Sequence, residues 1–183
     1  VVASTDVPNL IKAIEGARYN VIQVQQWLTD ISATRGLDGL NDGFDEAEAA
    51  AQGLAENLAT AKALSEKLGQ TELLAALKQI EAAFPDYYTT GKRMAQGYID
   101  GGPEVGNKIM GDFDATAARL AGALEAAVAA LARALLIGPL SSAVGNVFSS
   151  TETLPPEKEK VPRLAMAVAA VETLAECVSA VFA

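Results

Sequence analysis

The feature that most constrains this chain is a spacing. Apolar residues recur at alternating steps of four and three along four separate stretches. The first holds Leu10, Ile14, Ala17, Val21, Val24, Leu28 and Ile31. The second holds Phe44, Ala47, Ala51, Leu54, Leu58, Ala61 and Leu68, with Ser65 in its one polar slot. The third holds Leu73, Leu77, Ile80, Phe84, Tyr87, Gly91, Met94 and Tyr98, and the fourth Phe113, Ala117, Leu120, Leu124, Ala127 and Leu131. A repeat averaging about 3.5 residues keeps one face of a helix turned toward a neighbour over many turns, which means left-handed, nearly parallel helix packing. Short links between such helices force antiparallel neighbours. The chain therefore predicts an all-α fold: an elongated antiparallel up-down-up-down four-helix bundle. Its helices are expected over 7–35, 43–68, 72–100 and 104–136, and at about 1.5 Å per residue a helix of about 28 residues is a rod of about 42 Å.

Local punctuation agrees with those limits. Thr5 or Asp6 can cap the first helix, and Pro8 is tolerated in its first turn. Gly36 suits the left-handed position after it. Asn41 and Asp42 offer caps for the second helix, Gly69 ends it, and Thr71 caps the third with Glu72 in its first turn. Pro103 fits the first position of the fourth. Pro85 falls inside the third helix and is expected to kink or split it.

Residues 137–160 mix Gly, Pro, Ser and Thr before a run of alternating charge, which reads as a linker with a short helical piece at 140–148. An additional C-terminal amphipathic helix is expected over 161–183. Leu164, Val168, Val171, Ala175, Val178 and Phe182 line one of its faces, and Glu172, Glu176 and Ser179 the other. Cys177 lies in that apolar pattern and reads as a small buried hydrophobe.

Composition removes several function classes. The net charge of -9 argues against nucleic acid, whose phosphates need a basic face, and against anionic lipid surfaces. The absence of His removes the commonest general base and transition-metal ligand. No nucleophile elbow, phosphate loop or dinucleotide fingerprint occurs, and a di-iron bundle would need Glu-x-x-His pairs. The acidic run at 41–50 lacks the ligand ladder and terminal Glu of a calcium loop. The chain is expected to be no enzyme, with no cofactor, no metal and no catalytic residues. No secretory leader is recognisable at the first residues, and the longest apolar stretches carry Gly138 and Pro139, or Glu172 and Glu176, which disfavour a membrane span.

Binding is the remaining chemistry. Arg18, Gln25, Ser32 and Arg35 form a polar stripe beside the first seam, read either as a solvated face or as a second interface. Trp27 flanks the same seam, and its indole N–H wants a partner. In an up-down-up-down bundle the end of the first helix, the start of the second, the end of the third and the start of the fourth share one pole. Trp27, Arg35, Tyr98, Asp100, Asn107 and Lys108 are all expected toward that pole.

The stretches "VIQVQQWLTDISATRGLDGLNDGFDEAE" and "YYTTGKRMAQGYIDGGPEVGNKIMGDFDATAARLAGALEAAV" carry a resemblance. Across residues 6–136 the chain resembles the extracytoplasmic helical-bundle sensory domain of bacterial methyl-accepting chemotaxis proteins. The resemblance implies a periplasmic, homodimeric four-helix bundle that binds a small molecule near its membrane-distal pole and signals by a small helix displacement. It would meet the membrane only through segments absent from this chain. No ligand motif of the family maps onto particular residues. A receptor's fourth helix would run on into a membrane span, whereas "ARALLIGPLSSAVGNVF" breaks at Gly138–Pro139.

Two functions follow as expectations. The first is a sensor of a small, anionic molecule. Arg35, with Asn107 or Lys108, would hold an acidic group, and Trp27 or Tyr98 would pack on its apolar part; Arg suits a carboxylate because its donors form a planar fork. The second is a structural or adaptor bundle that assembles through its seams and C-terminal helix.

Overall fold

The computed structural model describes residues 5–40, 42–136 and 140. Apart from residue 140, the expected linker lies outside the described residues, as do the segment expected to form the C-terminal helix with Cys177, and Asn41. Four α-helices carry almost everything described: α1 Asp6–Thr34, α2 Gly43–Lys67, α3 Thr71–Gly101 and α4 Pro103–Leu136. A short 3-10 turn, Leu37–Gly39, lies between α1 and α2. Each helix end falls within one residue of the limit read from the heptads.

The seams are the core. All seven α1 seam residues and all six of α4 are buried. In α2 and α3 the seam is buried except at Phe44, Ala51 and Phe84, which are half-buried. Ser65 is fully buried on the α2 seam and donates its hydroxyl to the Ala61 carbonyl at 2.7 Å, so its polar slot costs little. α1 packs chiefly on α2 and α4 chiefly on α3, while α3 also touches both α1 and α2.

Each hairpin is antiparallel, and the side chains record its register. Between α3 and α4, ion pairs join Glu72 to Arg133, Asp86 to Arg119 at 3.7 Å, and Arg93 to Asp112 at 2.9 Å. Fourteen residues forward and then seven along α3 correspond to fourteen and then seven backward along α4. These pairs sit at heptad intervals on the rim of the seam, where they set register and add little stability because they are exposed.

Between α1 and α2 a different device fixes the register. Asn20 donates from Nδ2 to the carbonyl of Gly16, and Asn57 likewise to Gly53, both at 2.9 Å. Each asparagine lies over the other helix's glycine: a Cβ on Gly16 would stand 2.6 Å from Asn57 Oδ1, and one on Gly53 2.9 Å from Asn20 Oδ1. The two Gly-x-x-x-Asn segments thus interlock reciprocally, because each glycine leaves the space that the opposing amide fills. Below them Asp6 pairs with Lys67 at 2.9 Å.

Two local expectations change. α3 runs unbroken through Pro85. Both Pro85 and Glu81, whose carbonyl loses its N–H partner, are exposed, so water can take the place of the missing donor. The α3 N-cap is Gln70 and not Thr71; the Gln70 amide donates to the Leu68 carbonyl at 2.9 Å. The α1 N-cap is Thr5, one of the two residues expected there, although it makes no side-chain capping bond; Asp6 is buried against Lys67. The polar stripe on α1 is also not a fully solvated face. Arg18, Gln25 and Ser32 are half-buried, and Arg18 Nε and Nη1 and Gln25 Oε1 are enclosed without a hydrogen-bond partner among the described residues.

Candidate functional site

The chain leaves α1 through two successive left-handed residues, Arg35 at φ 54° and Gly36 at φ 65°. The sequence marks Gly36 for that conformation, but Arg35 takes it as well and donates its backbone N–H to the Ile31 carbonyl at 2.7 Å. A left-handed residue with a Cβ costs about 1–2 kcal/mol, so the position of Arg35 is held by its surroundings.

Its side chain reaches the other corner of the bundle. Arg35 Nη1 lies 3.4 Å from where a Cβ on Gly102 would stand. Gly102 itself, at φ 60° and ψ -153°, occupies a region that only glycine adopts readily. The Arg35 guanidinium therefore lies beside the α3–α4 corner.

Beside that corner Tyr98 is buried, with its ring against Gly106. Its hydroxyl donates to Asn107 Oδ1 in a short hydrogen bond. Asn107 is exposed, so its Nδ2 donors remain open to solvent. Lys108 is exposed and makes no ion pair among the described residues, and the same holds for the Arg35 guanidinium. Trp27 is half-buried and packs on the core two turns back along α1, with its carbonyl near Gly43. The structure thus joins Tyr98 to Asn107 and brings Arg35 to the α3–α4 turn. It shows no contact linking Trp27 or Lys108 to them.

This pole also gathers exposed apolar side chains that the seam analysis does not single out. Leu37 and Leu40 are 54% and 55% exposed in the first corner, and Ile99 and Val105 are 37% and 39% exposed beside the second. They lie off the heptad seams, and an apolar residue in a loop or beside a turn carries no periodic signal.

A second feature lies on the flank between α2 and α3. An open cleft of about 450 Å³ is walled on one side by Phe44, Asp45 and Glu48 of α2. Tyr88, Lys92 and Arg93 of α3 form much of the other side. Lys92 Nζ sits 4.3 Å above the Tyr88 ring. Burial, and then the Glu48 carboxylate, push the Tyr88 phenol above its ordinary value. None of the residues expected at the pole lines this cleft.

No protein family, curated protein or solved structure matches the chain in the comparisons made. Among the described residues no group of three or more acidic or thiol side chains could hold a metal ion, and no helix is long and apolar enough to cross a membrane.

Proposed function

We propose that this chain is a ligand-sensing domain of a chemotaxis-type transmembrane receptor, binding a small anionic molecule at the pole where Arg35 meets the α3–α4 turn. The fold in this reading is an up-down-up-down four-helix bundle with an additional C-terminal amphipathic helix. It works as a periplasmic homodimer and transmits binding as a small displacement of the helices.

The observation that carries the reading is a surplus of donors without acceptors. In a molecule of net charge -9, the Arg35 guanidinium and the Lys108 ammonium have no carboxylate partner among the described residues. The Asn107 carbonyl oxygen is taken by Tyr98, which turns its amide donors outward. An acidic ligand would satisfy all three, with the Arg35 fork as its main anchor. Such a ligand would also span the two corners, so binding would couple the α1–α2 hairpin to the α3–α4 hairpin.

Calorimetric titration with organic acids, acidic amino acids and inorganic anions tests this. Arg35→Gly is the informative variant, because it removes the guanidinium and relieves the left-handed strain together. Affinity should fall about tenfold or more, as expected for a lost charge-assisted hydrogen bond, while the melting temperature holds or rises. A screen without a binder, or a binder indifferent to Arg35→Gly, would sink the proposal.

The exposed Leu37, Leu40, Ile99 and Val105 favour a second reading, an adaptor bundle that assembles through this pole and its C-terminal helix. Light scattering separates the two. An assembly that Leu37→Ser and Leu40→Ser dissolve, with no anion bound, supports the adaptor.

A further inference from the structure

The cleft between α2 and α3 holds opposite charges that do not meet. Asp45 and Glu48 stand three residues apart on α2 and so share one face of it. Neither forms an ion pair among the described residues. Across from them Lys92 rests on the Tyr88 ring and also lacks a carboxylate. Arg93 is already committed to Asp112 at 2.9 Å, and Gln96, also on the wall, donates to Asp100 at 2.8 Å. Two free carboxylates and one free ammonium therefore face a common space, with half-buried Phe44 and Tyr88 rings between them.

We propose that this cleft binds a small zwitterion, an amino acid whose ammonium group sits between Asp45 and Glu48, whose carboxylate reaches Lys92, and whose carbon chain lies on Phe44 and Tyr88. Three considerations carry the assignment. The volume of about 450 Å³ falls within the range of about 300–1,000 Å³ typical of small-molecule sites. Opposite charges held apart in one cleft are bridged by a ligand that carries both, whereas a simple anion or cation would meet one favourable wall and one repulsive wall. The rings offer apolar surface at low entropic cost, since an aromatic side chain has two torsions to fix. The site shares no residue with the Arg35 pole, so it stands or falls separately from the function proposed above.

The test is calorimetric titration of the whole chain, at neutral pH and low salt, with ω-amino acids from β-alanine to ε-aminocaproate. Butyrate and butylammonium serve as singly charged controls. One amino acid in the series should bind at least about tenfold more tightly than either control. Lys92→Met and Glu48→Gln should each weaken it about tenfold or more, and Arg35→Gly should leave it unchanged. Both replaced side chains are exposed, so circular dichroism should report an intact fold. The proposal is overturned if no amino acid binds, if a control binds as tightly, or if both cleft substitutions are silent.

Discussion

Tyr87 is the residue at which the helix core contradicts its own chemistry. Its side chain is fully buried on the α3 seam, its ring stacks on Phe113 with centroids 5.1 Å apart, and its hydroxyl has no hydrogen-bond partner among the described residues. A buried hydroxyl without a partner forfeits about 1–3 kcal/mol relative to its hydrated state in the unfolded chain. Tyr87→Phe removes that oxygen and keeps the ring, its packing and its stacking on Phe113. The variant should gain about 1–2 kcal/mol, which for a chain of this length raises the melting temperature by about 2–4 °C per kcal/mol. Urea unfolding followed by circular dichroism measures the gain, and an unchanged slope against urea assigns it to the native state.

The pH dependence supplies an independent check. Burial raises the Tyr87 phenol above its ordinary value of 10.0. Below about pH 10 the phenol is neutral in both states and contributes no slope. As the pH climbs from there toward the raised folded value, the unfolded chain loses this proton and the folded chain keeps it, so alkali favours unfolding. Wild type should therefore lose stability relative to Tyr87→Phe by up to about 1.4 kcal/mol per pH unit in that window. A variant destabilised by a kilocalorie or more, with parallel alkaline profiles, would refute the reasoning by showing that the hydroxyl is satisfied.

Two further substitutions probe the helix contacts. Gly91→Ala sets a Cβ 2.6 Å from Leu28 Cδ1 and 2.8 Å from Phe113 Cε2, so overpacking of about 1–3 kcal/mol should outweigh the helix propensity gained and lower the urea midpoint. A higher midpoint would mean that α1 and α4 can yield there. Gly16→Ala sets a Cβ 2.6 Å from Asn57 Oδ1, so its cost should shrink when Asn57→Ala clears the space, with a coupling of about 1 kcal/mol in a double-mutant cycle. Strictly additive effects would show that the Gly–Asn interlock does not hold the hairpin together.

The candidate site was legible only as a region. Sequence spacing brings Arg35, Tyr98 and Asn107 toward one pole, because helix lengths and short links leave few alternatives. The Tyr98–Asn107 hydrogen bond and the reach of Arg35 to Gly102 depend on side-chain directions that no repeat encodes. The α2–α3 cleft carries no signal in the sequence. Asp45 and Glu48 belong to the acidic run at the start of the second helix, and nothing in the sequence sets them opposite Lys92. The Gly–Asn interlock left a visible trace, the same Gly-x-x-x-Asn spacing in "GARYN" and "GLAEN", but that trace acquires meaning only once the two helices are paired.

By itself the sequence determined the four helices, their limits and their buried faces, because a heptad repeat is a local rule that each helix states alone. Only the tertiary structure decided how the faces meet. It set the left-handed turn at Arg35, the continuity of α3 through Pro85 and the unpaired hydroxyl of Tyr87. Each of these turns on what lies across a gap between helices, and residues far apart in the chain meet there only after packing has chosen the register.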